Sequence, residues 1–189
     1  MDNRTITKAA DPVRIVMVDD DPSEHVLMRA AAQEANIASD FTFFEDGADA
    51  LLHLVGTKAE DLPDVIVLDL RMPGLDGHST LDELQADPLL WKVPVVVFTS
   101  SPRKSDIETS INRGAVSYVV KPSDFETMVN NVSDLCDLAR RGVAPRQVDE
   151  VASGRGERRE TIQQVGVLVE DYLLQLQLES AARKAQEEA

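Results

Sequence analysis

The chain predicts an α/β fold, a doubly wound parallel sheet of five strands in (βα)5 order, on three observations. Short apolar runs alternate with helix-period segments from Val13 to Arg141. The run Val65–Leu68 is apolar at every position, as a strand covered on both faces must be. Four strand ends carry polar or charged residues: Asp19 and Asp20 after the first, Asp69 after the third, Thr99 after the fourth and Lys121 after the fifth. An open parallel sheet has a crevice outside the carboxyl ends of its strands, where strand order reverses. These side chains are therefore expected on one rim.

Val13–Val18 is the first strand, interrupted only by Arg14, and it ends in three aspartates. Asp21 before Pro22 suits an N-cap, and Val26, Leu27, Ala30 and Ala31 supply the apolar face of the first helix. Phe41–Phe44 is the second strand, followed by an amphipathic helix over Ala48–Val55 that stops at Gly56. After Val65–Leu68 come a helix over His78–Gln85 and a fourth strand over Val93–Phe98. A helix over Asp106–Asn112 runs up to Gly114, Val116–Val120 forms the fifth strand, and Asp124–Arg140 the fifth helix. Residues 1–12 are expected to be extended or disordered, and 13–142 to form the folded domain. Residues 143–160, with Pro145, Gly154 and Gly156 among polar residues, have linker composition. Residues 161–189 predict one amphipathic C-terminal helix. Its positions Ile162, Val165, Val169, Tyr172 and Leu176 alternate spacings of three and four residues, which makes a heptad seam.

Composition narrows the function. The 189 residues hold 34 acidic and 19 basic side chains, a formal charge of −15. Residues 1–143 carry 25 acidic and 13 basic of these, and the remainder 9 and 6, so both parts are acidic. Nucleic-acid binding depends on cations that neutralise phosphates, and this balance argues against it. No stretch approaches the roughly 20 apolar residues of a membrane helix. The polar stretch Met1–Asp11 lacks the apolar core of a signal peptide, and the single cysteine, Cys136, has no internal disulfide partner. A cytoplasmic location is expected.

Like charges gathered at one rim repel unless a cation compensates them. Mg²⁺ prefers one or two carboxylates plus water and substrate phosphate, so Asp19, Asp20 and Asp69 suit it. Asp69 is followed by Leu70, Arg71, Met72, Pro73 and Gly74, and the Pro-Gly pair enforces a turn whose irregular backbone leaves carbonyls free for a metal. A carboxylate can attack phosphorus and form an acyl phosphate. The transition state spreads negative charge over the phosphoryl oxygens, so a cation and neutral donors are needed beside the metal. Lys121 supplies the cation, and Thr99 a hydroxyl, although Ser100 and Ser101 offer the same group.

VDDDP at Val18–Pro22, DLRMPGLDG at Asp69–Gly77, VVFTSS at Val96–Ser101 and GAVSYVVKP at Gly114–Pro122 together resemble the receiver domain of bacterial response regulators. Order and spacing match from Val13 to Arg141. The resemblance implies a flavodoxin-like topology, two-component signalling and Asp69 as phosphoacceptor. It further implies Asp19 and Asp20 as the acidic pair, with Asp20 the direct metal ligand, and the Arg71 backbone carbonyl as another. Thr99 and Lys121 would contact phosphoryl oxygens. Tyr118 would be the switch aromatic, and a cis peptide bond is expected before Pro122. Ser123 stands where the family often has Phe. The stretch DPLLWKVPVVVFTSSP, together with Gly56–Pro63, resembles stand-alone regulators that partner phytochrome-type histidine kinases. Self-catalysed phosphotransfer and autodephosphorylation are implied, rather than metabolic catalysis.

The expected partners are a histidine kinase and a second copy of the chain. The copy would dock through the C-terminal helix or the face of the fourth helix, fifth strand and fifth helix. A degenerate receiver, acting as a constitutive protein-binding or dimerisation module, would lack the acceptor or the lysine, and this chain has both. A haloacid dehalogenase-type hydrolase would carry its nucleophile after the first strand, and a flavodoxin would need a Ser-, Thr- or Gly-rich loop where three aspartates stand. His25, His53 and His78 lie on separate helices without coordinating spacing. Cys136 is expected in the core, Trp91 in an exposed loop, and Arg155, Arg158 and Arg159 on a linker surface.

Overall fold

The computed structural model describes residues 11–142. The predicted N-terminal segment before residue 11, the linker and the heptad-bearing helix lie outside the described residues. The described part contains β1 (Val13–Val18), α1 (Pro22–Glu34), β2 (Ser39–Phe44), α2 (Gly47–Val55), β3 (Val65–Leu68), α3 (Gly77–Ala86), β4 (Val95–Thr99), α4 (Lys104–Asn112), β5 (Ser117–Val120) and α5 (Phe125–Arg141). Short 3-10 turns at Ala59–Asp61 and Leu90–Lys92 were not anticipated. Trp91 lies on the second and is half-buried rather than exposed.

The sheet order is β2-β1-β3-β4-β5, every pair parallel. Chain direction across the sheet reverses between β1 and β3, so the crevice opens above those two strands. Alternate strand residues feed two cores. Val16, Val18, Ile66, Leu68 and Val97 pack with Ala50 and Leu54 of α2 and Leu81 and Leu84 of α3. On the opposite face Ile15, Met17, Val65, Val67 and Phe98 pack with Met28 and Ala31 of α1 and Val132, Leu135 and Cys136 of α5. Helices therefore cover both faces, which is why β3 tolerates no polar residue. Cys136 is fully buried, as expected.

Four of the five helices begin where a side-chain oxygen accepts from an otherwise unpaired amide of the first turn. Asp21, Asp46, Asp76 and Asp124 each occupy an N-cap and accept from an amide of the first turn. Gly142 ends α5 in the left-handed conformation, with Arg140 and Arg141 in the last turn beside the negative helix end.

Candidate functional site

Main-chain bonds at the strand tips aim the site. The Asp19 amide donates to Phe44 O at 2.9 Å and the Asp69 amide to Val18 O at 2.9 Å, so the ladder continues one residue past β1 and β3. The Lys121 amide donates to Thr99 O at 2.8 Å. Fixed backbones leave only side-chain rotamers free, and period-2 alternation decides which residues face the crevice.

The structure brings Asp19, Asp20 and Asp69 together: one carboxylate oxygen from each lies within 4.8 Å of the others. Asp19 and Asp69 are buried, whereas Asp20 is exposed. Lys121 Nζ lies 2.7 Å from Asp19 Oδ2 and 3.7 Å from Asp69 Oδ2. The 2.7 Å contact is an ion pair without good hydrogen-bond alignment, since Asp19 Oδ2 is left without a hydrogen-bond partner. The other Asp19 oxygen accepts from the Asp21 amide at 3.1 Å, and Asp69 Oδ1 accepts from the Leu70 amide at 2.7 Å.

Burial pushes the Asp19 carboxyl above its ordinary value, because loss of water outweighs the attraction of Lys121. At Lys121 burial acts the other way, but Asp19, Asp69 and Glu24 outweigh it and hold the ammonium above its usual range. The cup thus holds a permanent cation and a carboxylate short of compensation. A hard divalent ion supplies that compensation. The donors fit one: they are all carboxylate oxygens, two strands preset them, and one buried oxygen has no hydrogen bond.

Thr99 closes β4 and is completely buried, and its Oγ1 has no hydrogen-bond partner. A native hydroxyl in that condition costs free energy unless a ligand or another state satisfies it. Ser101, two residues on, is not interchangeable with it: its Oγ donates to Asp106 Oδ2 at 2.5 Å. That bond, first among its causes, holds the Asp106 carboxyl below the usual range. Tyr118 is half-buried on β5 and donates from its hydroxyl to Ser101 O at 2.7 Å. Burial pushes the phenol up to about 12, so it stays a donor at neutral pH.

The loop after Asp69 carries the exposed Arg71 and then turns through Gly74, whose φ of +78° suits glycine. Gly77 opens α3 against the backbone of Asp69, where a Cβ would stand 2.1 Å from Asp69 O. Pro122 follows Lys121 and is half-buried. The expectation of a cis bond before it is corrected: no peptide bond among the described residues is cis. The trans form is intrinsically preferred before proline by about 0.5–1 kcal/mol, and the Lys121 ammonium reaches Asp19 with the trans bond in place.

Two contributors went unnoticed in the sequence. Glu24 Oε1 lies 3.9 Å from Lys121 Nζ, and Asp106 holds the loop after β4. Only helix phase, four residues beyond Asp20, hinted at the first. The histidines stay apart from the site. His25 stacks on Phe43, His53 tilts against Phe44, and His78 Nε2 meets Ser110 Oγ at 3.2 Å.

Comparison with known proteins agrees with this geometry. The sequence model of the response regulator receiver domain matches residues 15–133. The probable methanogenesis regulatory protein FilR2 of Methanothrix harundinacea is 30% identical over 137 residues, which are 71% of this chain and 88% of that protein. The chain spans about half the length of some other curated relatives, 52% for the nitrate/nitrite regulator NarL of Escherichia coli. Among solved structures, the phosphorylated cyanobacterial phytochrome response regulator RcpA is similar at 25% identity and a TM-score of 0.63, covering 71% of this chain and 98% of that one. The Mn²⁺-bound response regulator Rcp1 is similar at 26% identity and a TM-score of 0.58, covering 66% and 91%. A matched family model over most of the described residues, and a rim that sets three aspartates against one lysine, place this chain in the response regulator receiver family of two-component signalling.

Proposed function

We propose that Asp69 accepts a phosphoryl group from a phosphohistidine on a partner kinase, and that this switches the chain's protein contacts. The observation that carries it is the shared Lys121 ammonium between Asp19 and Asp69, beside a third carboxylate at Asp20. Asp69 attacks phosphorus in line, the new O–P bond forms as the N–P bond to imidazole breaks, and the kinase histidine leaves with the electron pair. Asp19, Asp20, Asp69 and the Arg71 carbonyl would hold Mg²⁺, which supplies positive charge for the phosphoryl oxygens when bound. Lys121 pairs with one phosphoryl oxygen. Thr99 Oγ1, buried and unpartnered, is free to donate to another. A move of Thr99 toward the acceptor vacates space that Tyr118 can take up by releasing Ser101 O, which changes the face formed by α4, β5 and α5. Attack of water on phosphorus then breaks the Asp69 O–P bond, releases inorganic phosphate and returns Asp69 to the carboxylate.

Likeness to RcpA, together with the loop residues around Trp91, favours a phytochrome-type kinase as donor. We assign the chain to the cytoplasm, where such kinases present their histidine, and place dimerisation either on the α4-β5-α5 face or on the heptad seam at 162–176. No helix among the described residues is long and apolar enough to cross a membrane.

The test is incubation with acetyl phosphate and Mg²⁺, followed by intact mass. Wild type should gain one phosphoryl mass; Asp69→Asn should gain none, and chelation should remove the gain. Equal labelling of the two proteins would refute the acceptor.

A further inference from the structure

Glu24 is the third residue of α1, three positions after its N-cap Asp21. In a capping box, a Ser or Thr N-cap is followed at that spacing by a glutamate whose side chain returns to the N-cap amide, and Glu24 stands at the same spacing from Asp21. Here that amide is already taken, because Asp21 N donates to Asp19 Oδ1 at 3.1 Å. The Glu24 carboxylate turns instead to the site and lies 3.9 Å from Lys121 Nζ, with its side chain 22% exposed. One ammonium therefore serves three carboxylates, at 2.7 Å from Asp19, 3.7 Å from Asp69 and 3.9 Å from Glu24. Glu24 is the one of the three on a helix rather than at a strand tip, and nothing else in the site needs it.

We propose that Glu24 is a positioning residue that acts through Lys121, holding the ammonium on the Asp19 side of the cup and so limiting how strongly it engages Asp69 and a phosphoryl group there. The inference rests on Asp69 being the phosphoacceptor. A lysine is a flexible point charge, and its place among competing anions is set by how many of them there are and how near. With Glu24 neutral, Lys121 shifts toward the two remaining carboxylates. It then pairs more strongly with an aspartyl phosphate, and competes more strongly with Mg²⁺ for Asp19 and Asp69.

The experiment is a double-mutant cycle on the full chain: wild type, Glu24→Gln, Lys121→Met and the double variant. The acetyl phosphate concentration giving half-maximal phosphorylation is read by intact mass with Mg²⁺ saturating for all four proteins, so that a change in metal affinity does not enter this reading. Glu24→Gln should lower it about threefold when Lys121 is present, the scale of a partly exposed ion pair, and should leave it unchanged in the Lys121→Met background. Mg²⁺ titration calorimetry on the same four proteins closes a second cycle that needs no phosphoryl transfer. There Glu24→Gln should weaken Mg²⁺ binding more with Lys121 present than without it. Equal effects in both backgrounds would show that Glu24 acts as a bare negative charge and would overturn the inference, as would no effect in either. Wild type that takes up no phosphoryl group would overturn the acceptor assignment and this inference with it. Wild-type uptake indifferent to Glu24 would overturn this inference alone.

Discussion

Thr99 Oγ1 is a buried hydroxyl without a partner, a condition that costs on the order of 1–3 kcal/mol. Its replacement by the near-isosteric apolar side chain removes the penalty without opening a cavity. Thr99→Val should therefore leave the unphosphorylated protein as stable as wild type, or up to about 1 kcal/mol more stable, in urea unfolding. The same substitution should weaken the response to phosphorylation if, as proposed, Thr99 Oγ1 donates to a phosphoryl oxygen. Clear destabilisation would mean that the hydroxyl is already paired in the resting state. At this scale the sequence was informative about chemistry but ambiguous about identity. Thr99, Ser100 and Ser101 all offered a hydroxyl; the structure leaves Ser100 exposed, commits Ser101 to Asp106, and buries Thr99 Oγ1 without a partner. Glu24 shows the converse. Its carboxylate faces Lys121, while the Asp21 amide, which it could have reached from the first turn, donates to Asp19.

The element that shapes the site is the start of α3. Asp76 caps it, accepting from the Ser79 amide at 2.9 Å, and that bond holds the Asp76 carboxyl below its ordinary value. A depressed carboxyl contributes stability that is present above the unfolded value of 3.8 and is lost as pH falls through the folded value. Asp76→Ala should cost about 1 kcal/mol near neutral pH and progressively less under acid. Gly77→Ala should cost about 1–3 kcal/mol at any pH, because the added methyl meets main-chain atoms that cannot swing aside. It should also weaken Mg²⁺ binding, since the displaced atoms belong to Asp69 and Leu70. Urea titrations at two pH values, with Mg²⁺ calorimetry, separate the two variants. Most elements were legible in the sequence to within one or two residues, the usual uncertainty at fraying ends. β2 extends back to Ser39 because Val13 and Arg14 pair with Ser39 and Asp40, a cross-strand match that no local pattern reveals.

The whole molecule is strongly anionic, at −15, and concentrates part of that charge in a buried cup. Asp19 has its carboxyl raised above 3.8 by burial. Its contribution to stability is therefore fully present below 3.8 and is lost as pH rises through the folded value, so the metal-free site is a liability at neutral pH. A divalent cation bound as proposed would require the deprotonated form and would reverse this. At a free concentration 100 times its Kd, Mg²⁺ should stabilise the protein by about 2.7 kcal/mol at pH 7, and by much less near pH 4. Thermal unfolding with and without Mg²⁺ at both pH values checks it. A shift of equal size at the two would place the ion elsewhere.

The sequence by itself determined the layered α/β class, since a run apolar at every position, Val65–Leu68, flanked by helix-period segments calls for helices on both faces of a sheet. It also marked Asp69 and Lys121, because charge at the end of a buried strand is anomalous unless something pairs with it. Which charges pair was decided only by tertiary structure. Asp19 and Lys121 are separated by 102 residues of chain, and their 2.7 Å contact exists because β1 and β5 belong to one parallel sheet whose strand tips end on the same rim. The turn of Glu24 toward Lys121 belongs to the same class. It hangs on an energy difference of about 1 kcal/mol or less, which packing settles and local sequence does not.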